Sequence, residues 1–62
     1  METIDFASLD AKVQNEIMEY PEDLDLIFFV NESGEVDSVD ASKEDLLEAQ
    51  GGMGEGWRRV EF

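Results

Sequence analysis

Hydrophobic side chains recur at helical spacing in residues 8–20. Intervals of four, four and three residues place four of them on one helix face: Leu9, Val13, Ile17 and Tyr20. Ser8 is a favourable N-cap residue, and Pro21 opposes a helical conformation in the residue before it. The pattern therefore predicts a helix over residues 8–20 that buries one face.

The apolar run "LIFFV" at 26–30 breaks this spacing and predicts a strand over residues 24–31. Short runs of β-branched and aromatic residues bounded by turn residues are typical of strands. Both faces of this strand carry large apolar side chains, as a central strand does. "NESGE" at 31–35 predicts a hairpin loop in which Gly34 takes a positive φ, and residues 35–40 return as a weaker strand.

A second helix is predicted over residues 43–50. "SKED" at 42–45 resembles a capping box, with Asp45 in the place of the usual Glu or Gln, and glycine, here Gly51, commonly terminates helices. "GGMGEG" at 51–56 predicts a flexible connection to a last strand, "WRRVEF", at 57–62.

The order helix, strand, strand, helix, strand predicts one α+β domain over residues 1–62. Its sheet is expected to be three-stranded and mainly antiparallel, with the helices packed on one face. The other face would expose apolar side chains of the central strand, and such patches commonly mark interfaces. A homodimer through this uncovered face is one expected use of it. Four aromatic residues are predicted to anchor the core or the dimer: Phe28, Phe29, Trp57 and Phe62.

Two residue types on which many enzymes rely are missing. There is no cysteine and no histidine, the usual general base near neutral pH. The four serines therefore have no histidine to activate them, and 62 residues do not easily build a pocket of about 300 Å³ or more. The chain is expected not to be an enzyme and to carry no cofactor.

Two short motifs fall short of ligand-binding loops. When Gly34 is aligned with the sixth position of an EF-hand loop, Phe29 takes the first position, where it cannot ligate calcium. "GGMGEG" lacks the Lys and Ser/Thr of a phosphate-binding loop and follows a helix instead of a strand. A polar hairpin turn and a flexible connection are the favoured interpretations, so no metal site is predicted.

The net charge affects the functional interpretation more than any other feature of the sequence. Seventeen Asp and Glu against four Lys and Arg give a formal net charge of −13. This charge opposes direct binding to DNA, RNA or anionic lipid, and the longest apolar run is too short to span a bilayer. The N-terminus lacks the pattern of a signal peptide. We therefore expect a cytoplasmic protein whose partners are basic protein surfaces, with Arg58 and Arg59 neutralising nearby acids.

Eight acidic residues, from the first predicted strand through the second helix, form a predicted partner-binding face: Asp23, Asp25, Glu35, Asp37, Asp40, Glu44, Asp45 and Glu48. Alternate residues on a strand lie about 6.6 Å apart, and helix neighbours at i+3 and i+4 lie about 5–6 Å apart between Cβ atoms. Phosphates along a DNA strand repeat at intervals of similar size. A rigid domain with this spacing could present a phosphate-like array.

In size, charge and lack of cofactors, the chain resembles the DNA mimics that phages and mobile elements use against host proteins. The resemblance is one of composition, since this class is not one sequence family. It implies an inhibitor that occupies the nucleic-acid-binding site of a host DNA-binding protein or enzyme, in the host cytoplasm if the chain is phage-encoded. The alternatives are a general acidic interaction or regulatory module, and a small protein from a salt-adapted organism.

Overall fold

A computed structural model describes residues 2–62, which form one four-stranded sheet and two α-helices. The strands are β1 (Thr3–Asp5), β2 (Leu26–Val30), β3 (Val36–Asp40) and β4 (Arg58–Glu61). The helices are α1 (Ala11–Met18) and α2 (Glu44–Ala49), each preceded by a short 3₁₀ turn. The predicted α+β class is confirmed.

The sheet has the strand order β1-β4-β2-β3, so β1 and β3 are its edges. β2 pairs antiparallel with both β3 and β4, whereas β1 pairs parallel with β4. β1 is the strand that the sequence pattern did not predict. It contains three residues, of which only Ile4 is apolar, and so few residues carry no readable alternation.

One face of the sheet packs against α1. Val13 and Ile17 of the helix are buried against Val30 and Val60 of the sheet, which confirms the helix face predicted from the four-residue spacing. α1 is shorter than predicted: its N-cap is Asp10 and not Ser8, because residues 6–8 form a 3₁₀ turn, and it ends at Met18, ahead of Pro21.

The opposite face of the sheet lies beneath α2. Ile27 and Phe29 point to this side, where they line a small hollow together with Leu47 of the helix and Arg59 of β4. Phe29 is only 1% exposed. The two helices therefore cover opposite faces instead of sharing one, because both faces of β2 are apolar and each needs cover. The predicted homodimer was expected to form through an uncovered sheet face. Because α2 lies on that face, the homodimer stays a prediction without this support.

The hairpin between β2 and β3 forms as predicted. Val30 pairs with Val36, and Gly34 has φ of 81°, a conformation that glycine adopts at little cost. The Asn31 side-chain oxygen accepts hydrogen bonds from the backbone N–H groups of Ser33 (3.0 Å) and Glu35 (2.9 Å). These bonds close the loop and set the register of the two strands.

No helix within residues 2–62 has both the length and the apolar character needed to cross a membrane.

Candidate functional site: the acidic face

Acidic side chains cover the surface of the molecule. Of the seventeen, all are exposed except Glu44, which is half-buried. The eight residues of the predicted partner-binding face, which we call the acidic face, lie along β3, at its two ends and on α2.

The edge strand β3 carries the centre of the acidic face. Asp37 lies opposite Phe29 and Asp40 lies opposite Leu26. Because neighbouring residues of a strand alternate between faces, Asp37 points to the α2 side of the sheet and Asp40 to the α1 side. Their Cα atoms are separated by three residues, or about 10 Å. The two carboxylates therefore flank one edge without sharing a face.

A backbone hydrogen bond brings the turn before β2 close to the end of β3. The N–H of Ala41 donates to the carbonyl oxygen of Asp25 at 2.9 Å, which extends the β2–β3 pairing by one residue. Asp25 therefore lies beside the end of β3, and Asp23 precedes it in the same exposed turn. The structure thus joins these two acids to the β3 group.

Local hydrogen bonds hold the two carboxylates of β3 and that of Glu35, which precedes the strand. Asp40 Oδ1 accepts from the N–H (3.4 Å) and the hydroxyl (3.2 Å) of Ser42 at the start of the turn into α2. Asp37 Oδ1 accepts from the backbone N–H of Ser38 at 2.8 Å. Glu35 Oε1 accepts from the Asn31 side-chain amide at 3.0 Å. These bonds restrain the carboxylates while leaving the side chains exposed.

Glu44 differs from the rest of the acidic face. It forms an ion pair with Arg59 of β4, and both side chains are half-buried. The pair joins α2 to the sheet and neutralises the charge of Glu44. Asp45 and Glu48, on the same helix, are exposed. Neither of them forms an ion pair within residues 2–62, so of the three predicted α2 residues these two offer an unpaired charge to a partner.

Negative charge also extends beyond the acidic face. Nine further acidic residues lie elsewhere on the surface: Glu2, Asp5, Asp10, Glu16, Glu19, Glu22, Glu32, Glu55 and Glu61. The acidic face is therefore one part of a molecule that is negative on all sides. Within residues 2–62, no group of three or more acidic side chains is arranged to hold a metal ion.

The sequence pattern missed an apolar cleft on the α1 side of the sheet. The cleft has a volume of about 430 Å³, and its walls include four aromatic residues together with Met18 and Leu24. The expectation that so short a chain would not build a hollow of this size is wrong. A signal was present, since Met18 lies off the predicted apolar face of α1 and Leu24 stands between two aspartates.

The chemistry that the acidic face offers is a set of restrained, charged hydrogen-bond acceptors. Carboxylates of this kind pair with lysine and arginine, and charged hydrogen bonds are roughly twice as strong as neutral ones.

No protein-family model, curated protein or solved structure matches this chain.

Proposed function

We propose that this chain is a small acidic inhibitor that binds a basic, DNA-binding protein and occupies its nucleic-acid-binding site. The observation that carries the proposal is the row of exposed carboxylates along the β3 edge, continued by Asp45 and Glu48 on α2. In this proposal the carboxylates stand in for DNA phosphates, and the protein acts by binding, without catalysis or a cofactor, in the cytoplasm.

The way the carboxylates are held supports this proposal. The hairpin at Asn31, the Asp25–Ala41 backbone bond and the Asp40–Ser42 bonds restrain the chain that bears them. A charge pattern already ordered in the free protein avoids part of the entropy loss that binding would otherwise cost. A disordered acidic tail of the same composition would lack this advantage.

The net charge of −13 favours rapid association with a basic surface. Opposite fields steer two proteins together and raise the association rate, most strongly at low ionic strength. The same charge repels nucleic acid and anionic membranes, so the proposed partner is a protein.

Affinity capture from a bacterial lysate tests the proposal. The immobilised protein should retain basic DNA-binding proteins at about 0.05 M salt and release them as salt approaches about 0.2 M, because ionic contacts weaken over this range. Duplex DNA added in excess should displace them. Retention that is insensitive to competing DNA would contradict mimicry and would leave a general interaction module.

Two sets of substitutions with equal charge test which surface binds. The first neutralises three residues of the acidic face: Asp37→Asn, Asp45→Asn and Glu48→Gln. The control neutralises three exposed residues at the opposite edge of the sheet: Glu2→Gln, Asp5→Asn and Glu61→Gln. The first set should weaken binding to the captured protein by at least about tenfold, and the control by much less. Equal losses would show that net charge alone drives binding.

The nine acids outside the acidic face favour a second candidate, a generally acidic protein adapted to salt. Such a protein should unfold at low salt and fold in molar salt. Far-UV circular dichroism across this range separates the two candidates, because the proposed inhibitor has to be folded at the low ionic strength at which it binds best.

A further inference from the structure

The apolar cleft on the α1 side is built around a cluster of aromatic rings. Phe62 packs against Phe6, with ring centroids 5.2 Å apart, and against Phe28 at 6.1 Å. Phe28 in turn contacts Tyr20 edge-to-face at 5.1 Å. These contacts give the cleft a defined apolar wall. The cleft is separate from the acidic face, so a binding role for it does not rest on the proposed function.

Exposed apolar side chains concentrate at this cleft. Met18 is 70% exposed, Leu24 53% and Phe62 82%, and all three line it. Within residues 2–62, the other large hydrophobic residue with comparable exposure is Leu46 on α2, at 60%. In so acidic a chain, three such side chains gathered at one concave site are the mark of an interaction surface.

Acidic residues border the cleft. Glu22 lies in its wall, and Glu16 and Glu19 line a neighbouring hollow that shares Tyr20 and Pro21 with it. Within residues 2–62, no lysine or arginine lines either hollow. The chemistry that complements this surface is therefore a segment with large apolar side chains on one side and lysine or arginine beside them.

A second copy of this chain fits the cleft poorly. Each copy carries a charge of −13. A two-fold contact brings the same surface of both molecules together, so contact through the cleft would place Glu16, Glu19 and Glu22 of one copy near those of the other. Charge complementarity thus selects a basic partner over self-association.

We propose that the cleft binds an amphipathic basic helix of another protein. The unpaired backbone edges of the sheet belong to β1 and β3, whereas the cleft is walled by side chains of α1, the turn after it, β2, Phe62 and Phe6 of the 3₁₀ turn. An extended peptide would find no strand there to pair with. A helix satisfies its own backbone hydrogen bonds and inserts apolar side chains at i, i+3 or i+4 and i+7 into such a groove.

A synthetic helix provides the direct test. The probe is a fluorescein-labelled peptide of about 18 residues made of Leu and Lys, a length at which isolated helices become stable, with the leucines on one face. Fluorescence anisotropy gives its Kd for the intact protein. A peptide of the same composition in scrambled order keeps the charge but loses the apolar face, and it should bind at least about tenfold more weakly. Equal binding of the two peptides would overturn the proposal, because charge alone would then explain it.

Substitutions of exposed residues locate the binding surface. Met18→Ser and Leu24→Ser should each weaken binding of the amphipathic peptide by about tenfold, as loss of a central apolar contact does. Leu46→Ser is the matched control, an apolar side chain of comparable exposure outside the cleft, and should leave Kd within about twofold. Circular dichroism checks that each variant is folded. The same loss in Leu46→Ser, or no loss in the cleft variants, would overturn the proposal.

Occupation of the cleft by a second copy would give a different result. If a second copy fills the cleft, light scattering will show a dimer that Met18→Ser dissociates, and this contradicts the proposal.

The acidic-face set Asp37→Asn, Asp45→Asn and Glu48→Gln separates the cleft from the proposed inhibitor function. It should leave peptide binding within about threefold even where it abolishes binding of the DNA-binding partner.

Discussion

At the scale of single residues, environment separates side chains of the same type. Phe29 is 1% exposed in the sheet interior, whereas Phe62 is 82% exposed at the rim of the cleft. Both were expected to anchor the core or a dimer contact. Burial of a phenylalanine contributes to stability roughly in proportion to the apolar area removed from water, so of these two residues Phe29 is the one that anchors the core.

Phe29→Ala should lower the free energy of unfolding by about 3–5 kcal/mol, the usual cost of removing a buried aromatic ring. Phe62→Ala removes the same atoms from an exposed position and should cost less than about 1 kcal/mol. Urea unfolding followed by circular dichroism measures both values. Similar losses in the two variants would mean that the Phe62 ring is buried in solution.

Asn31 has a stabilising role that its place in a loop does not suggest. Its side chain accepts two backbone hydrogen bonds and donates one to Glu35. Asn31→Ala should reduce the unfolding free energy by about 1–2 kcal/mol, because hairpin N–H groups lose their acceptor. Ser33→Ala is the control, since Ser33 takes part through its backbone N–H, and it should stay within about 0.5 kcal/mol of the parent protein.

At the scale of elements, α2 depends on its attachments. It has six residues, far fewer than an isolated helix needs to be stable in water. Three features attach it to the rest of the fold: the Asp40–Ser42 bonds at its entry, the hollow that Leu47 lines together with Ile27 and Phe29, and the Glu44–Arg59 ion pair. The exposed charges of Asp45 and Glu48 are positioned only as long as these features persist.

A double-mutant cycle with Glu44→Gln and Arg59→Gln tests the ion pair. Both side chains are half-buried, so solvent screening limits their coupling to less than about 1 kcal/mol in urea unfolding at low salt. The coupling should shrink at about 1 M salt, where the Debye length is about 3 Å. Asp45→Asn combined with Arg59→Gln is the control cycle, since Asp45 is exposed and lies outside the hollow that Arg59 lines, and it should show no coupling. Equal coupling in both cycles would assign the effect to general charge.

At the scale of the whole molecule, net charge opposes compactness. The Cα atoms extend over 31 × 27 × 16 Å, and the Debye length is about 30 Å at 0.01 M salt but about 10 Å at 0.1 M. In dilute salt, therefore, the acids on every side repel one another across the entire molecule. At physiological salt, only near neighbours do so.

Added salt should therefore stabilise the folded chain. The urea midpoint is expected to rise between about 0.01 M and 0.5 M sodium chloride, as screening relieves self-repulsion. A variant with Glu2→Gln, Asp5→Asn and Glu61→Gln should be more stable at 0.01 M salt and show a smaller rise. A midpoint that stays constant or falls with salt would show that local ion pairs outweigh the net repulsion.

The elements that could be read from the sequence are those determined by contacts within a few residues. The spacing of Val13 and Ile17 places both on the buried face of α1. The Asn31 and Gly34 positions define a hairpin, and the run at 26–30 defines the central strand. The exposure of the acidic residues also follows directly, since carboxylates are costly to bury.

Contacts between distant parts of the chain account for what could not be read from the sequence. β1 exists because Thr3–Asp5 pairs with the strand at the other end of the chain, and three residues acquire strand structure only through that pairing. The side of the sheet that α2 covers, the choice of Glu44 as the acid that Arg59 neutralises and the assembly of the aromatic cleft have the same origin. Each depends on which residues meet in space, and neither spacing nor composition specifies that for residues far apart in sequence.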